Sequence, residues 1–158
     1  MSLERAKKYL KKYGFDERIM EFDVSSATVL QAAEAIHCRE EEIAKTLSFL
    51  IHDKPIVIVV TGDSKIDNRK FKEEFQTKAK MIPFEQVEEF IGHAAGGVCP
   101  FGVNENVDVY LDESLRKMKL VYPACGSSNS AIALNIEELE KVSNYKKWVD
   151  VCKDSESI

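Results

Sequence analysis

The stretch Glu42-Ile43-Ala44-Lys45-Thr46-Leu47-Ser48-Phe49-Leu50-Ile51 decides the fold, because it has the β-branched and aromatic composition of a β-strand. Side chains alternate between the two faces of a strand, so Lys45 shares the more apolar face with leucine, phenylalanine and isoleucine residues. A fully buried ammonium group is costly unless it is paired. Lys45 is therefore either directed into a cleft, or it lies with its stem on apolar surface and its amine in water.

The sequence around this strand predicts a mixed α/β (α+β) domain. His52-Asp53-Lys54-Pro55 is short enough to join it to Ile56-Val57-Ile58-Val59-Val60 as an antiparallel hairpin, and the second strand, apolar on both faces, is expected to be central. Hairpins and helix crossovers together favour a mixed, mostly antiparallel curved sheet or partial barrel of about six or seven strands, surrounded by helices. Further strands are predicted at 107–112, 120–124 and 131–134, and helices at 29–36, 67–76 and 136–142. The polar tail after Trp148 is expected to be frayed.

Size and composition are those of one soluble globular domain: 158 residues, of which 44% are hydrophobic and 31% charged. No apolar run approaches the ~20 residues that span a bilayer. Residues 1–12 form a charged amphipathic pattern without an apolar signal core, so we expect a cytoplasmic location and no membrane partner. The four cysteines have neither CxxC nor zinc-finger spacing, so we expect reduced thiols, no metal and no cofactor.

Charge is unevenly distributed along the chain. The formal net charge of −5 argues against a broad, sequence-independent grip on nucleic acid, although a local basic patch is compatible with it. The most basic region is either an ordinary solvated surface or a binding site for a polyanion, and it contains Lys65, Arg69, Lys70, Lys72, Lys78 and Lys80.

A second stretch, Gly96-Gly97-Val98-Cys99-Pro100-Phe101-Gly102, predicts a loop that can take part in chemistry. It lacks the GxGxxG spacing and the Walker lysine of nucleotide-binding loops. Its glycines let the main chain approach a ligand closely, and Pro100 fixes the direction in which the loop leaves. Such a loop can present free N–H groups to a carbonyl oxygen as that oxygen becomes an oxyanion.

Taken in order, these stretches resemble the YbaK/EbsC family of aminoacyl-tRNA deacylases, which is related to the editing domain of bacterial prolyl-tRNA synthetase. Residues 43–49 are similar to the lysine-bearing strand of the family, and residues 96–102 to its GxxxP loop and following glycine. Residues 109–115 and 124–132 are similar to the later strand and to the glycine-containing loop. By this resemblance the chain, 1–158, is a single editing domain with a core of about 27–139.

The resemblance implies a barrel-like mixed α/β fold and hydrolysis of the ester that joins a mischarged amino acid to tRNA, of the Cys-tRNA(Pro) type or a related one. Lys45 corresponds to the essential lysine, which binds the terminal phosphate or ribose and orients the ester. Gly96 corresponds to the glycine whose N–H lies near the ester carbonyl, and Gly97 stands beside it. The nucleophile is then a positioned water or, for a cysteinyl substrate, its own thiol, so catalysis rests on positioning and oxyanion stabilisation. The implied partners are the aminoacylated 3′ end of tRNA and a synthetase such as prolyl-tRNA synthetase.

Several other residues are candidates for substrate contact, and each has a structural alternative. Thr46 points away from Lys45 and can serve packing, the polar loop at 127–129 can be an ordinary turn, and His93 can be either an acid/base or a hydrogen-bonded loop histidine. Cys99 with His93 also permits a thiol hydrolase or a Cys/His metal site, although buried inert thiols are the better account. A further alternative is a non-catalytic module that binds the CCA end of tRNA or a synthetase. The candidates are Thr46, His93, Val98, Cys99, Pro100, Phe101, Gly102, Gly126, Ser127, Ser128 and Asn129.

Overall fold

The computed structural model describes residues 2–154, which form five helices and two sheets. The larger sheet is a curved half-barrel of six strands and the smaller has two, so the expected mixed α+β class is confirmed. The helices are α1 (Ser2–Lys11), α2 (Val29–Ile36), α3 (Asn68–Phe75), α4 (Val87–Ile91) and α5 (Ile136–Ser143). The strands are β1 (Met20–Glu21), β2 (Ile43–Ile51), β3 (Lys54–Thr61), β4 (Asp108–Asp112), β5 (Leu120–Pro123), β6 (Ser130–Ala131), β7 (Leu134–Asn135) and β8 (Lys147–Val149).

The hairpin of β2 and β3 is the centre of the large sheet, whose strand order is β7-β5-β2-β3-β4-β8. The two strands pair antiparallel from Ala44 opposite Thr61 to Ile51 opposite Lys54, as predicted. Strand β2 pairs parallel with β5, β3 with β4, and β4 with β8. The sheet has more parallel strand pairs than the mostly antiparallel sheet that was expected. The reason is that the chain crosses over through α3 and α4 between β3 and β4.

Strand β3 is covered on both faces, which confirms that it is central. Ile58 and Val60 pack with Phe71 of α3 on one face. On the other face, Val59 belongs to the cluster that contains α1 and α5, and Val57 to the cluster that contains α4. Burial on both sides explains why this strand is a continuous apolar run instead of an alternating one.

Helix ends follow the local sequence. The side chain of Asp67 accepts hydrogen bonds from the N–H groups of the first turn of α3. Asn135 and Glu138 form a full capping box at the start of α5. These caps fix where both helices begin.

Two sequence-based predictions are wrong. The chain after Trp148 is not frayed over its described part, because β8 continues to Val149 beside β4, and Val151 and Cys152 are buried. The rest of the predicted tail, 155–158, lies outside the described residues. The single strand predicted at 131–134 is divided, because Ser130–Ala131 pairs with β1 whereas Leu134–Asn135 pairs with β5. Within residues 2–154, none of the helices combines the length and apolar character that a bilayer crossing needs.

Candidate active site

The outer edge of β2 is paired at both ends and open between them. At one end Ile43 and Ala44 pair with β5. At the other end the N–H of Leu50 donates to the carbonyl of Lys80 (2.9 Å), and the N–H of Ile82 donates to the carbonyl of Ser48 (3.1 Å). Backbone groups that face one edge recur every second residue, so Thr46 directs its N–H and C=O into the gap.

A cavity of about 380 Å³ lies at this gap. Such a volume suits a small ligand group. Polar or small residues line it from four segments of the chain, in β2, in the loop before α2, in the glycine-rich loop and in β6. The remaining wall is mostly apolar and includes Val29, Ile43, Ile82, Val87 and Val98. The polar and small residues of the wall include Ser26, Ala27, Thr28, Lys45, Thr46, Ser48, Gly96 and Ser130.

Lys45 is one of the residues that line this cavity, and it is half-buried. Its register partner is Val60, so its stem leaves β2 on the face that carries α3. Its Nζ donates to the carbonyl of Ser64 (2.6 Å). Burial lowers the pKa of Lys45, while the nearby Cys152 and Asp63 favour the charged form. Because an ammonium has three N–H donors and residues 2–154 supply an acceptor for one of them, two remain for other acceptors.

Thr46 and Ser48 lie on the other face of β2, as the alternation predicts, and there they form part of the cavity wall. Within the described part of the chain, the Oγ1 of Thr46 is buried without a hydrogen-bond partner. An unpaired buried hydroxyl is destabilising, and one that faces a cavity indicates a place where a ligand can supply the missing bond.

The glycine-rich loop approaches the same cavity with its main chain. The N–H of Gly97 is engaged, because it closes a turn onto the carbonyl of Ala94 (2.9 Å). For Gly96 and Val98, which line the cavity, residues 2–154 provide no hydrogen-bond acceptor for the N–H. These two N–H groups are thus available to an oxygen inside the cavity.

Gly96 and Gly97 of this loop differ in the space that surrounds them. A Cβ on Gly97 would lie 2.3 Å from the main chain of Gly126 and Ser127, so only glycine lets these two loops meet. The N–H of Gly126 donates to the carbonyl of Gly97 (3.0 Å) at this contact. A Cβ on Gly96 would lie 3.1 Å from Cβ of Ser128, which is tight but not prohibitive.

The structure places His93, Cys99 and Phe101 in the core and outside the lining of the cavity. Nε2 of His93 donates to the carbonyl of Phe101 (2.5 Å), and Nδ1 faces the hydroxyl of Ser2 (3.0 Å). Burial lowers the pKa of His93 and raises that of the Cys99 thiol to about 12. His93 therefore has no free nitrogen to activate Cys99, and this geometry argues against a thiol hydrolase. Among the described residues there is no group of three or more His, Cys, Asp or Glu side chains that could hold a metal ion.

The remaining candidates support the site from outside. Pro100 and Gly102 line a separate groove beside α1. The hydroxyl of Ser127 donates to Oδ1 of Asn129 (3.0 Å), and the carbonyl of Ser128 accepts from the N–H of Ser26 (2.6 Å). The loop at 126–129 thus braces the segment before α2, whose next residue, Ala27, lines the cavity.

Met81, Phe84 and Tyr122 also line the cavity, and sequence reasoning did not single them out. Each follows or precedes a proline or a buried apolar residue, so each has the local pattern of an ordinary core position. Exposure is the signal that would have found the first two, and it is known only from the fold.

The fold and this cavity define a small α+β domain that combines a half-buried lysine with free main-chain N–H donors. The chain belongs to the aminoacyl-tRNA editing domain family, whose model matches residues 23–142. The resemblance seen in the sequence is thereby confirmed.

The chain is also similar to individual proteins and to solved structures. The chain is 48% identical to the uncharacterized protein YwhH of Bacillus subtilis over 99% of this chain and all of that protein. It is 24% identical to the proline–tRNA ligase of Aquifex aeolicus over 80% of this chain, but it spans only 22% of the ligase. A solved structure described as a "putative trans-editing enzyme for prolyl tRNA synthetase" superposes with a TM-score of 0.86 at 27% identity, covering 97% of this chain and 98% of that one.

Proposed function

We propose that this chain is a trans-acting aminoacyl-tRNA deacylase, which hydrolyses the ester of a mischarged tRNA of the Cys-tRNA(Pro) type or a related one. Its family and the full-length likeness to the solved trans-editing structure support this role. The observation that carries the proposal is the cavity itself, where the unpaired hydroxyl of Thr46 and the free N–H groups of Gly96 and Val98 meet beside Lys45.

The chemistry proposed for this cavity needs few side chains. The ester carbonyl points at the N–H groups of Gly96 and Val98, which stabilise the negative charge that develops on its oxygen. The ammonium of Lys45, anchored on Ser64, binds the ribose or terminal phosphate with its remaining donors and orients the ester. The attacking group is a positioned water or the thiol of a cysteinyl substrate, and the amino-acid side chain occupies the apolar part of the cavity.

In this proposal the whole chain acts as a single editing domain, with a core of about 27–139. Its substrate partner is the aminoacylated 3′ end of tRNA in the cytoplasm, and prolyl-tRNA synthetase is a second candidate partner. The shared cavity also supports an alternative, a non-catalytic module that binds the CCA end of tRNA or a synthetase, because the cavity wall has no strongly nucleophilic side chain among its described residues. The two functions differ in whether the ester is cleaved.

The experiment that tests the proposal is release of amino acid from a panel of tRNAs charged with the wrong residue, comparing wild type with Lys45→Met. Methionine keeps the apolar stem of the lysine, so the fold should persist while turnover falls on the order of 100-fold. Lys65→Met is the matched control, since Lys65 is close enough to lower the pKa of Lys45 but does not line the cavity. Equal turnover by Lys45→Met refutes the role of the lysine, and tRNA binding without cleavage of any ester establishes the non-catalytic alternative.

A further inference from the structure

Residues 78–84, here called the edge segment, run beside the open edge of β2. The main-chain hydrogen bonds of Lys80 and Ile82 to β2 hold the segment in an extended form, and Met81 pairs with Phe49 of β2 in an isolated antiparallel β-bridge. Pro83 then fixes the backbone immediately before Phe84. The segment is therefore a rigid rim at the mouth of the cavity, and not a loose connection between α3 and α4.

Two large apolar side chains of this rim are exposed although buried positions are adjacent. Phe84 is 78% exposed and Met81 is 57% exposed, whereas Ile82 between them is 4% exposed. Both exposed residues line the cavity. Exposed apolar groups that collect at a cavity mouth mark a binding surface, and an aromatic ring that is open to solvent offers a face on which a nucleobase can stack.

The basic region seen in the sequence divides into a paired part and an unpaired part. Lys70 contacts two aspartates of the C-terminal segment, and Arg69 contacts a glutamate one turn along α3. Lys78 and Lys80 are exposed, and no carboxylate of residues 2–154 lies within ion-pair distance of either. Lys65 and Lys72 also have no carboxylate of residues 2–154 within ion-pair distance, but of the unpaired cations only Lys78 and Lys80 lie in the edge segment, near the exposed aromatic ring.

We propose that the edge segment binds the single-stranded 3′ end of tRNA, with Phe84 stacked on a base and Lys78 and Lys80 on the phosphates. This inference rests on the proposed function, because an ester that enters the cavity leaves its bases and phosphates at the mouth. Two free cations near one exposed aromatic ring suit a single-stranded nucleic acid, since phosphates need charge and unpaired bases need a stacking surface. A protein partner would use the apolar pair but would have no need of two free lysines.

Binding of uncharged tRNA, measured by fluorescence anisotropy at several salt concentrations, tests this surface without requiring ester cleavage. Phe84→Ala should weaken binding roughly 10- to 100-fold, while Phe84→Trp should preserve it, because tryptophan also stacks. Lys78→Gln and Lys80→Gln should each reduce the slope of log affinity against log salt by about 0.7, the value for one phosphate of a single strand. Lys72→Gln, which removes an exposed lysine from α3, is the matched control and should change little.

A truncated tRNA that lacks its unpaired 3′ nucleotides shows whether Phe84 contacts those nucleotides or another part of the tRNA. On this tRNA, wild type and Phe84→Ala should bind equally. An equal loss on intact and truncated tRNA, or no loss on either, overturns the inference. Absence of tRNA binding by wild type also overturns it, whereas the amino-acid release assay decides the proposed function independently. Because Phe84 is largely exposed, its variants should unfold at the wild-type temperature, which shows that the effect is one of binding.

Discussion

Replacing Gly96 and Gly97 separately by alanine should separate the role of the loop in the reaction from its role in the fold. Neither glycine has a positive φ, so neither is required by its backbone conformation. What differs is the space around the new methyl group. At Gly97 the methyl would meet main-chain atoms at 2.3 Å, whereas at Gly96 it would meet the side chain of Ser128 at 3.1 Å.

These distances set the expected magnitudes. Main-chain atoms of two connected loops cannot move apart without breaking the hydrogen bond from Gly126 to Gly97, so Gly97→Ala should cost about 3 kcal/mol, the upper part of the range for overpacking. At Gly96 a shift of a few tenths of an ångström relieves the contact, and alanine also reduces the entropy of the unfolded chain. We therefore expect Gly96→Ala to change the free energy of unfolding by less than about 1 kcal/mol.

Gly96→Ala, the variant expected to lose less stability, should lose more deacylation activity than Gly97→Ala. The methyl group of Gly96→Ala would be added at the wall of the cavity, where it would displace the ester. A displacement of about 1 Å costs on the order of 100-fold in rate. Urea unfolding and release of amino acid from mischarged tRNA, measured on both variants, test this expectation. A Gly96→Ala enzyme of wild-type activity would refute the placement of the ester at this loop, and a Gly97→Ala protein of wild-type stability would refute the tight loop contact.

Two further predictions concern stability. Thr46→Val removes the unpaired buried hydroxyl and keeps the shape of the side chain, so it should raise the free energy of unfolding by about 1 kcal/mol while deacylation falls. A loss of stability in urea unfolding would mean that the hydroxyl has a hydrogen-bond partner in the protein. Glu138→Gln should cost about 0.5 kcal/mol at pH 7 and less at pH 3, because the hydrogen bond from Arg18 holds the pKa of Glu138 below its ordinary 4.5; the stability that this ion pair contributes is present above pH 4.5 and is lost as pH falls through the lowered pKa. Thermal unfolding at both pH values measures this difference, and an equal cost at the two pH values would refute the ion pair with Arg18 as its source.

Local patterns predicted the parts of the fold that depend on nearby residues. The β2–β3 hairpin follows from a short turn between two apolar runs, and the start of α5 follows from its capping residues. Strand β8 could not be predicted in this way, because Lys147–Val149 is short, lies among polar residues and is stabilised by its distant parallel partner β4. Pairing between distant segments leaves little trace in a three-residue strand.

The site shows the same division between local and distant information. The alternation along β2 predicted which face each side chain takes, and the glycine-rich loop was found from its composition. The burial of Cys99 agrees with the expectation of a buried, inert thiol, whereas the exposure of Phe84 depends on which elements pack beside it, and the sequence contains no local signal for it. His93 and Cys99 have the residue types of a catalytic pair, yet their hydrogen bonds show a core contact.

The position of the cavity follows from the place where the sheet edge stops pairing. The last residue of β2 that pairs with β5 is Ala44, opposite Pro123. Proline has no N–H to continue the ladder, and its carbonyl is already taken by the N–H of Ile132 (3.0 Å). The next outward-facing residue of β2, Thr46, is thereby left without a strand partner until the edge segment resumes pairing at Ser48. Lys45 and Thr46 can therefore line one cavity although they lie on opposite faces of β2, because the cavity lies at the open edge of the strand and both faces border it.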